Sequence, residues 1–303
     1  EKNIPNCIKS IASNSFPIQA YEIIYVDDHS EDKSIEVLKS LEISNLHILQ
    51  LKDHLKGKKI NSYKKEAISY AISHAKGEVI LQTDADTIVQ KEWILMHYHM
   101  HSEKAKLFCG GPVFIIPENK FIVWFQCFDF ITTMGLTGAA MSSGLHYLAN
   151  GANMSFSKNE YLSTNMSASN VLASGDDMFL VQEMAAKHKD KVAFIKAEGA
   201  SVLTYGEQDI SSFIKQRIRW ASKSKRYKEK NILVVAALVF IMNMSILVNL
   251  ALAISNQGYL ILFLILFLIK ILVDYIFITT VASYYKSKLA PKFLLPSMII
   301  FPF

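Results

Sequence analysis

Thirty-nine consecutive residues, Asn231 to Ile269, carry no Asp, Glu, Lys or Arg. As helix at ~1.5 Å per residue this run is about 58 Å long, close to two crossings of a bilayer core of ~30 Å. A polar break, Ser255-Asn256-Gln257-Gly258, falls near its middle and marks a turn. The pattern predicts membrane spans near 232–254 and 259–281. Pro291 to Phe303 turns apolar again and reads as the start of a third span near 292–303.

The placement of charge matters more than the net charge of +5. Lys223, Lys225, Arg226, Lys228 and Lys230 crowd the entry to the first span, and Lys286, Lys288 and Lys292 follow the second. The intervening turn is uncharged. By the positive-inside rule both flanks are cytoplasmic, which predicts a multi-pass protein of the cell membrane with its large polar part in the cytosol. Cys7, Cys109 and Cys127 show no paired or metal-ligand spacing and read as reduced, buried thiols. The chain opens on Glu1, not Met, so its ends are expected to be truncated.

Residues 1–230 suffice for one α/β domain, with 231–303 as a membrane region. Ile4, Cys7, Ile8 and Ile11 recur at helical spacing. Tyr21–Val26 reads as a strand, Lys33–Leu41 as a helix, Asn45–Leu51 as a strand, Tyr63–Ala75 as a helix and Glu78–Gln82 as a short buried strand. Such alternation argues for a parallel sheet with covered faces. Phe121–Phe130, aromatic-rich and nearly uncharged, fits either a membrane-surface segment or a core helix.

Acidic clusters sit where strands end. Asp27-Asp28 close the first run, where a carboxylate can accept hydrogen bonds from a nucleobase or ribose. A helix-capping Asp/Ser pair explains the same residues without a ligand. Asp84-Ala85-Asp86 close another run, and two carboxylates so spaced can hold one hard cation while leaving room for a diphosphate. An ordinary polar turn also has this form. Ser174-Gly175-Asp176-Asp177 open a helix, where a carboxylate can take a proton from an attacking hydroxyl or merely favour the helix N-terminus. Gln216-Arg217-Ile218-Arg219-Trp220 combines phosphate-binding guanidinium with an aromatic plate, or is a basic stretch before a membrane.

In this order and spacing the motifs resemble the membrane-bound family 2 glycosyltransferases, a group that includes cellulose, chitin and hyaluronan synthases and ceramide glucosyltransferase. The resemblance implies a GT-A fold, a Rossmann-like mixed sheet, followed by transmembrane helices. It implies that Asp27 and Asp28 contact the donor nucleotide, that Lys64 is the family lysine, and that Asp84 approaches the ribose. Asp86, with Asp84, would bind Mg²⁺ or Mn²⁺. Asp177, beside Asp176, would be the base; Gln216 and Arg219 would hold the diphosphate, and Trp220 would border the acceptor. Asn150-Gly151-Ala152-Asn153 resembles the family's Gly-x-Asn turn.

The expected reaction is inverting transfer from a UDP- or GDP-linked sugar to a membrane lipid or growing glycan, with no nucleic-acid partner. Two departures stand out. The family's first strand is absent, and Lys58 and Lys59 compete with Lys64 for the lysine position. A metal-dependent nucleotidyltransferase and a non-catalytic nucleotide-sugar-binding subunit are the rival readings; a transporter is a weaker one.

Two further features lie outside these motifs. His97, His99 and His101 alternate, and a solvated helix face is a better expectation for them than a zinc site. Lys270 and Asp274, four residues apart within the second span, are expected to pair with each other.

Overall fold

The computed structural model describes residues 2–57, 60, 62–164, 176–224 and 230–300. In chain order the elements are α1 (Ile4–Ala12), β1 (Ile23–Asp27), α2 (Ser34–Lys39), β2 (Leu46–Gln50), α3 (Leu51–Leu55) and α4 (Tyr63–His74). Next come β3 (Val79–Gln82), β4 (Thr87–Val89), α5 (Trp93–Ser102), β5 (Phe108–Gly110), β6 (Val113–Ile115) and α6 (Phe121–Ser143). They are followed by β7 (Met154–Ser157), α7 (Lys158–Ser163), α8 (Asp176–Lys187), β8 (Val192–Phe194) and β9 (Val202–Thr204). The chain ends in α9 (Ile210–Ser224), α10 (Lys230–Leu252), α11 (Gln257–Tyr284) and α12 (Pro291–Ile300).

Two compact units form. The first comprises 1–113 and 137–205, the second 114–136 and 206–303.

In the first unit β1 and β2 run parallel, Ile23 opposite Leu46. A separate sheet has the order β3-β7-β5-β8, with β7 antiparallel to β3 and β5, and β8 parallel to β5. The sheet is therefore mixed. Pro5 suits the first turn of α1, whose Ile4, Cys7, Ile8 and Ile11 form one buried face. That face joins Ile23, Leu38, Val89, Trp93, Ile94 and Val202 in one core cluster. β1 and β3 both line a cavity of about 1070 Å³, and among the described residues neither pairs with the other.

In the second unit α10 and α11 pack together, joined at Asn256, whose side chain caps α11 by accepting from Gly258 N at 2.8 Å. Both are long and apolar enough to cross a membrane, as is α6. Their apolar side chains face outward: Leu238, Phe240 and Ile241 are each more than 60% exposed. α6 differs, because Val123, Trp124, Cys127, Phe128, Ile131 and Met134 are buried at helical spacing. Lys270 and Asp274 form an ion pair one turn apart on α11.

The histidines of α5 correct the expectation of a solvated face. Only His99 is solvent-facing, beside Glu103 at 3.3 Å. His97 has no exposed surface and hydrogen-bonds Ser155 and Asn153. The polar chain laid over β7 gives a buried imidazole partners, which composition alone does not reveal.

Candidate active site

The carboxyl ends of β1 and β3, with the first turn of α4, share one rim of the cavity, which carries Asp28, Lys64 and Asp84. Ligands of open α/β sheets bind at such strand ends. Lys64 stands in the first turn of α4, which Ser62 caps by accepting from Lys65 N at 3.4 Å. Its Nζ donates to Asp84 Oδ1 at 2.7 Å. Lys64 is mostly exposed and Asp84 about a third, so water weakens this pair. The His29 ring meets the Tyr63 ring edge-on at 5.5 Å, bracing the β1 end against α4. His29 takes a positive φ of 57°, a turn that lifts Asp28 into solvent.

The two aspartates of the first motif diverge. Asp28 is exposed and accepts from His29 Nδ1 at 2.9 Å. Asp27 is buried; its Oδ2 accepts from Ser30 N at 3.3 Å, while its buried Oδ1 has no partner among the described residues. An unpaired buried carboxylate oxygen is costly unless a donor group reaches it.

The Asp84–Asp86 turn is tied down by hydroxyls. Thr87 Oγ1 donates to Asp84 O at 2.8 Å and lies 2.7 Å from Thr83 Oγ1, which donates to Ala152 O at 2.8 Å. Gln82 Nε2 donates to Gly151 O at 3.0 Å. These bonds join the acidic turn to the Asn150–Asn153 turn, a role for Gln82, Thr83 and Thr87 that the sequence reading missed. Burial, with the charge of Asp84, raises the Asp86 carboxyl above its ordinary range although the side chain reaches solvent; Lys64 opposes the shift. Two repelling carboxylates are a fitting donor pair for Mg²⁺ or Mn²⁺, which takes oxygen ligands and keeps open positions for phosphate and water. Among the described residues no three His, Cys, Asp or Glu side chains gather to hold a metal by themselves.

Beneath this layer is a buried polar chain. Asn153 Nδ2 donates to Pro112 O and Ala200 O, both at 2.8 Å, and its Oδ1 accepts from Trp93 Nε1 at 2.8 Å. A Cβ on Gly111 would lie 2.5 Å from Asn153 Nδ2, so this close approach requires glycine. Burial drives the His97 pKa down to about 3.

Asp176 and Asp177 begin α8, and Gly175 before them, like Lys58 and Lys59, lies outside the described residues. Gln216, Arg219 and Trp220 share α9 in the second unit. Gln216 Nε2 donates to Glu207 Oε1 at 3.0 Å, and Gln126 of α6 holds the Glu207 backbone at both N and O, at 2.9 Å each. Arg219 is exposed and Trp220 half-buried, its ring edge-on to Phe130 with centroids 5.9 Å apart.

Residues 1–161 match the family described as "Glycosyl transferase family 2". The chain belongs to that family. Its mixed α/β sheets and trailing apolar helices are a family 2 transferase domain of GT-A type with a helical C-terminal part. The poly(ribitol-phosphate) beta-glucosyltransferase of Bacillus spizizenii is 29% identical over 103 residues, which are 34% of this chain and 16% of that protein. The chain thus spans about a sixth of that curated relative's length.

Among solved structures, S. aureus TarS 1-349 superposes with a TM-score of 0.48 at 17% identity, over 67% of this chain and 57% of that one. The same protein in complex with UDP-GlcNAc gives 0.45 at 16%, over 69% and 56%.

Proposed function

We propose that this family 2 chain is a glycosyltransferase that moves a sugar, with inversion, from a UDP- or GDP-linked donor to a hydroxyl of a membrane lipid or growing glycan. The observation that carries the reading is the gathering of Asp28, Lys64 and Asp84 on one cavity rim in a family 2 chain, beside Asp86 on the same turn. Asp28 and the unpaired oxygen of Asp27 receive the base and ribose. Lys64 leaves Asp84 for a phosphate oxygen when the diphosphate enters, a short movement for an exposed lysine. Asp84 and Asp86 hold a divalent cation, which when bound neutralises charge on the leaving nucleoside diphosphate. Asp177, flanked by Asp176, takes the proton from the acceptor hydroxyl as that oxygen attacks the anomeric carbon. Gln216 and Arg219 hold the departing diphosphate, and Trp220 borders the acceptor sugar.

α10 and α11 cross the membrane, with the basic residues before and after them on the cytoplasmic side.

The test is release of nucleoside diphosphate from a panel of UDP- and GDP-sugars by membranes carrying the full chain. Release from one donor, lost in Asp177→Asn, is the expected result. Silence across the panel, with native membranes as acceptor source, would turn the reading toward the nucleotidyltransferase or the non-catalytic subunit.

A further inference from the structure

Asp129 is the only charged residue of the 23-residue helix α6. Its Oδ2 accepts from Arg217 Nη2 on α9 at 2.6 Å, with both side chains about a quarter exposed. Arg217 does a second thing at once. Its guanidinium carbon lies 4.7 Å from the centroid of Phe213 and 4.7 Å from that of Trp220, the residues one turn before and one turn after it. Trp220 is then caught between this cation and Phe130, the chain neighbour of Asp129. Phe213 is pinned in the same way, edge-on against Phe125 at 5.8 Å. The arrangement is an aromatic–cation–aromatic stack along α9, anchored to α6 by one carboxylate.

A pair whose task was only to stabilise would need none of this. Ion pairs taken out of water are often matched by apolar residues of similar volume, so their stability value alone is a weak reason for them. A lysine would also satisfy Asp129, but it is a compact, strongly hydrated charge that stacks poorly on rings. The planar guanidinium is the group that can bond a carboxylate in its plane and cover a ring with its face.

We infer that Arg217, oriented by Asp129, is a positioning residue that sets the plane of Trp220 and with it the acceptor subsite. The inference rests on the reading of Trp220 as an acceptor residue given above. Arg217 touches neither donor nor acceptor in this scheme. Its effect reaches the reaction through the indole, so it governs transfer to the acceptor and not cleavage of the donor.

The experiment compares two rates for the full chain with the donor that the panel identifies. Donor hydrolysis is read in phosphatidylglycerol vesicles that contain no native lipid, and transfer is read in native membranes. Arg217→Lys keeps the charge and the partner and removes the stacking plane. It is expected to lower transfer about tenfold while leaving hydrolysis and the unfolding midpoint unchanged. In Trp220→Ala the same substitution is expected to cost nothing more. Wild-type transfer in Arg217→Lys, or equal loss of transfer and hydrolysis, overturns the inference. So does a double variant in which the two losses multiply. Wild-type transfer in Trp220→Ala alone instead overturns the acceptor reading on which it rests, a separate outcome. Asp129→Asn, which keeps an acceptor oxygen but no charge, is expected to lower transfer and spare hydrolysis in the same way, with a lower unfolding midpoint because Arg217 loses its counter-charge.

Discussion

The hydrogen bond between His97 Nε2 and Asn153 Oδ1, 3.0 Å long, has only one possible polarity. Asn153 donates both its amide hydrogens to carbonyls and accepts from Trp93, so its oxygen must face the imidazole. His97 therefore carries its proton on Nε2, and its Nδ1 accepts from the Ser155 hydroxyl at 2.7 Å. Ser155 Oγ in turn accepts from His101 Nε2 at 2.8 Å. A second proton on His97 would turn Nδ1 into a donor and break the bond that the Ser155 hydroxyl gives it.

A pH dependence follows from this chain. The unfolded protein binds a proton at His97 near pH 6.5, whereas the folded protein holds that pKa at about 3. The contribution to stability is complete above pH 6.5 and is lost as pH falls toward 3, by up to about 1.4 kcal/mol per pH unit. His101, lowered by burial, acts in the same direction, and Cys109 beside Ser155 stays neutral with its pKa raised to about 12. Unfolding midpoints in detergent at pH 7 and pH 5 are expected to fall further in the wild type than in His97→Gln. Equal falls would show that His97 does not carry the effect.

Lys64→Met leaves Asp84 without its cation at the strand end. The donor KM is expected to rise about tenfold, the loss of one charge-assisted contact to phosphate, with the fold intact. Steady-state kinetics on the identified donor measure this. An unchanged KM would assign the lysine's role elsewhere, Lys58 and Lys59 being the first alternatives.

Chelation tests the acidic turn. Treatment with EDTA is expected to abolish transfer, and added Mn²⁺ or Mg²⁺ to restore it in the wild type but not in Asp86→Asn. Full activity in EDTA would remove the cation from the mechanism.

Gly135 of α6 marks a close helix contact. A Cβ there would lie 2.5 Å from Val281 Cγ2 and 3.1 Å from Phe277 Cζ on α11. Gly135→Val is expected to destabilise by about 1–3 kcal/mol through overpacking, and Gly135→Ala by less. The unfolding midpoint reports it, and a wild-type midpoint in Gly135→Val would mean that the two helices separate at little cost.

Local pattern carried much of the architecture. The helical spacing of Ile4, Cys7, Ile8 and Ile11 and the short apolar runs ending in Asp27 and Gln82 correspond to α1, β1 and β3. Strand pairing was not legible in the same way, because it depends on distant segments. β7, with the sequence Met-Ser-Phe-Ser, is short and half polar, yet it joins β3 to β5 because its hydroxyls and the preceding Asn153 find buried partners. The burial of His97 was hidden for that reason: its partners come from residues 56 and 58 positions away. In the first unit acidic spacing singled out Asp28, Asp84 and Asp86, but nothing local marked Thr83 or Thr87, which hold the acidic turn; in the second, nothing local marked Glu207 or Asp129, which hold Gln216 and Arg217.

The lone carboxylate of α6 has one more consequence. The apolar face of this 23-residue helix would tolerate small rotations about its axis at little loss of buried area, and Gln126, Gly135 and Asp129 each narrow them. Asp129 does so with charge, since its carboxylate must meet Arg217. The pair is better pictured as an index pin than as a brace: it adds little to how firmly the helix is held and decides the angle at which it is held.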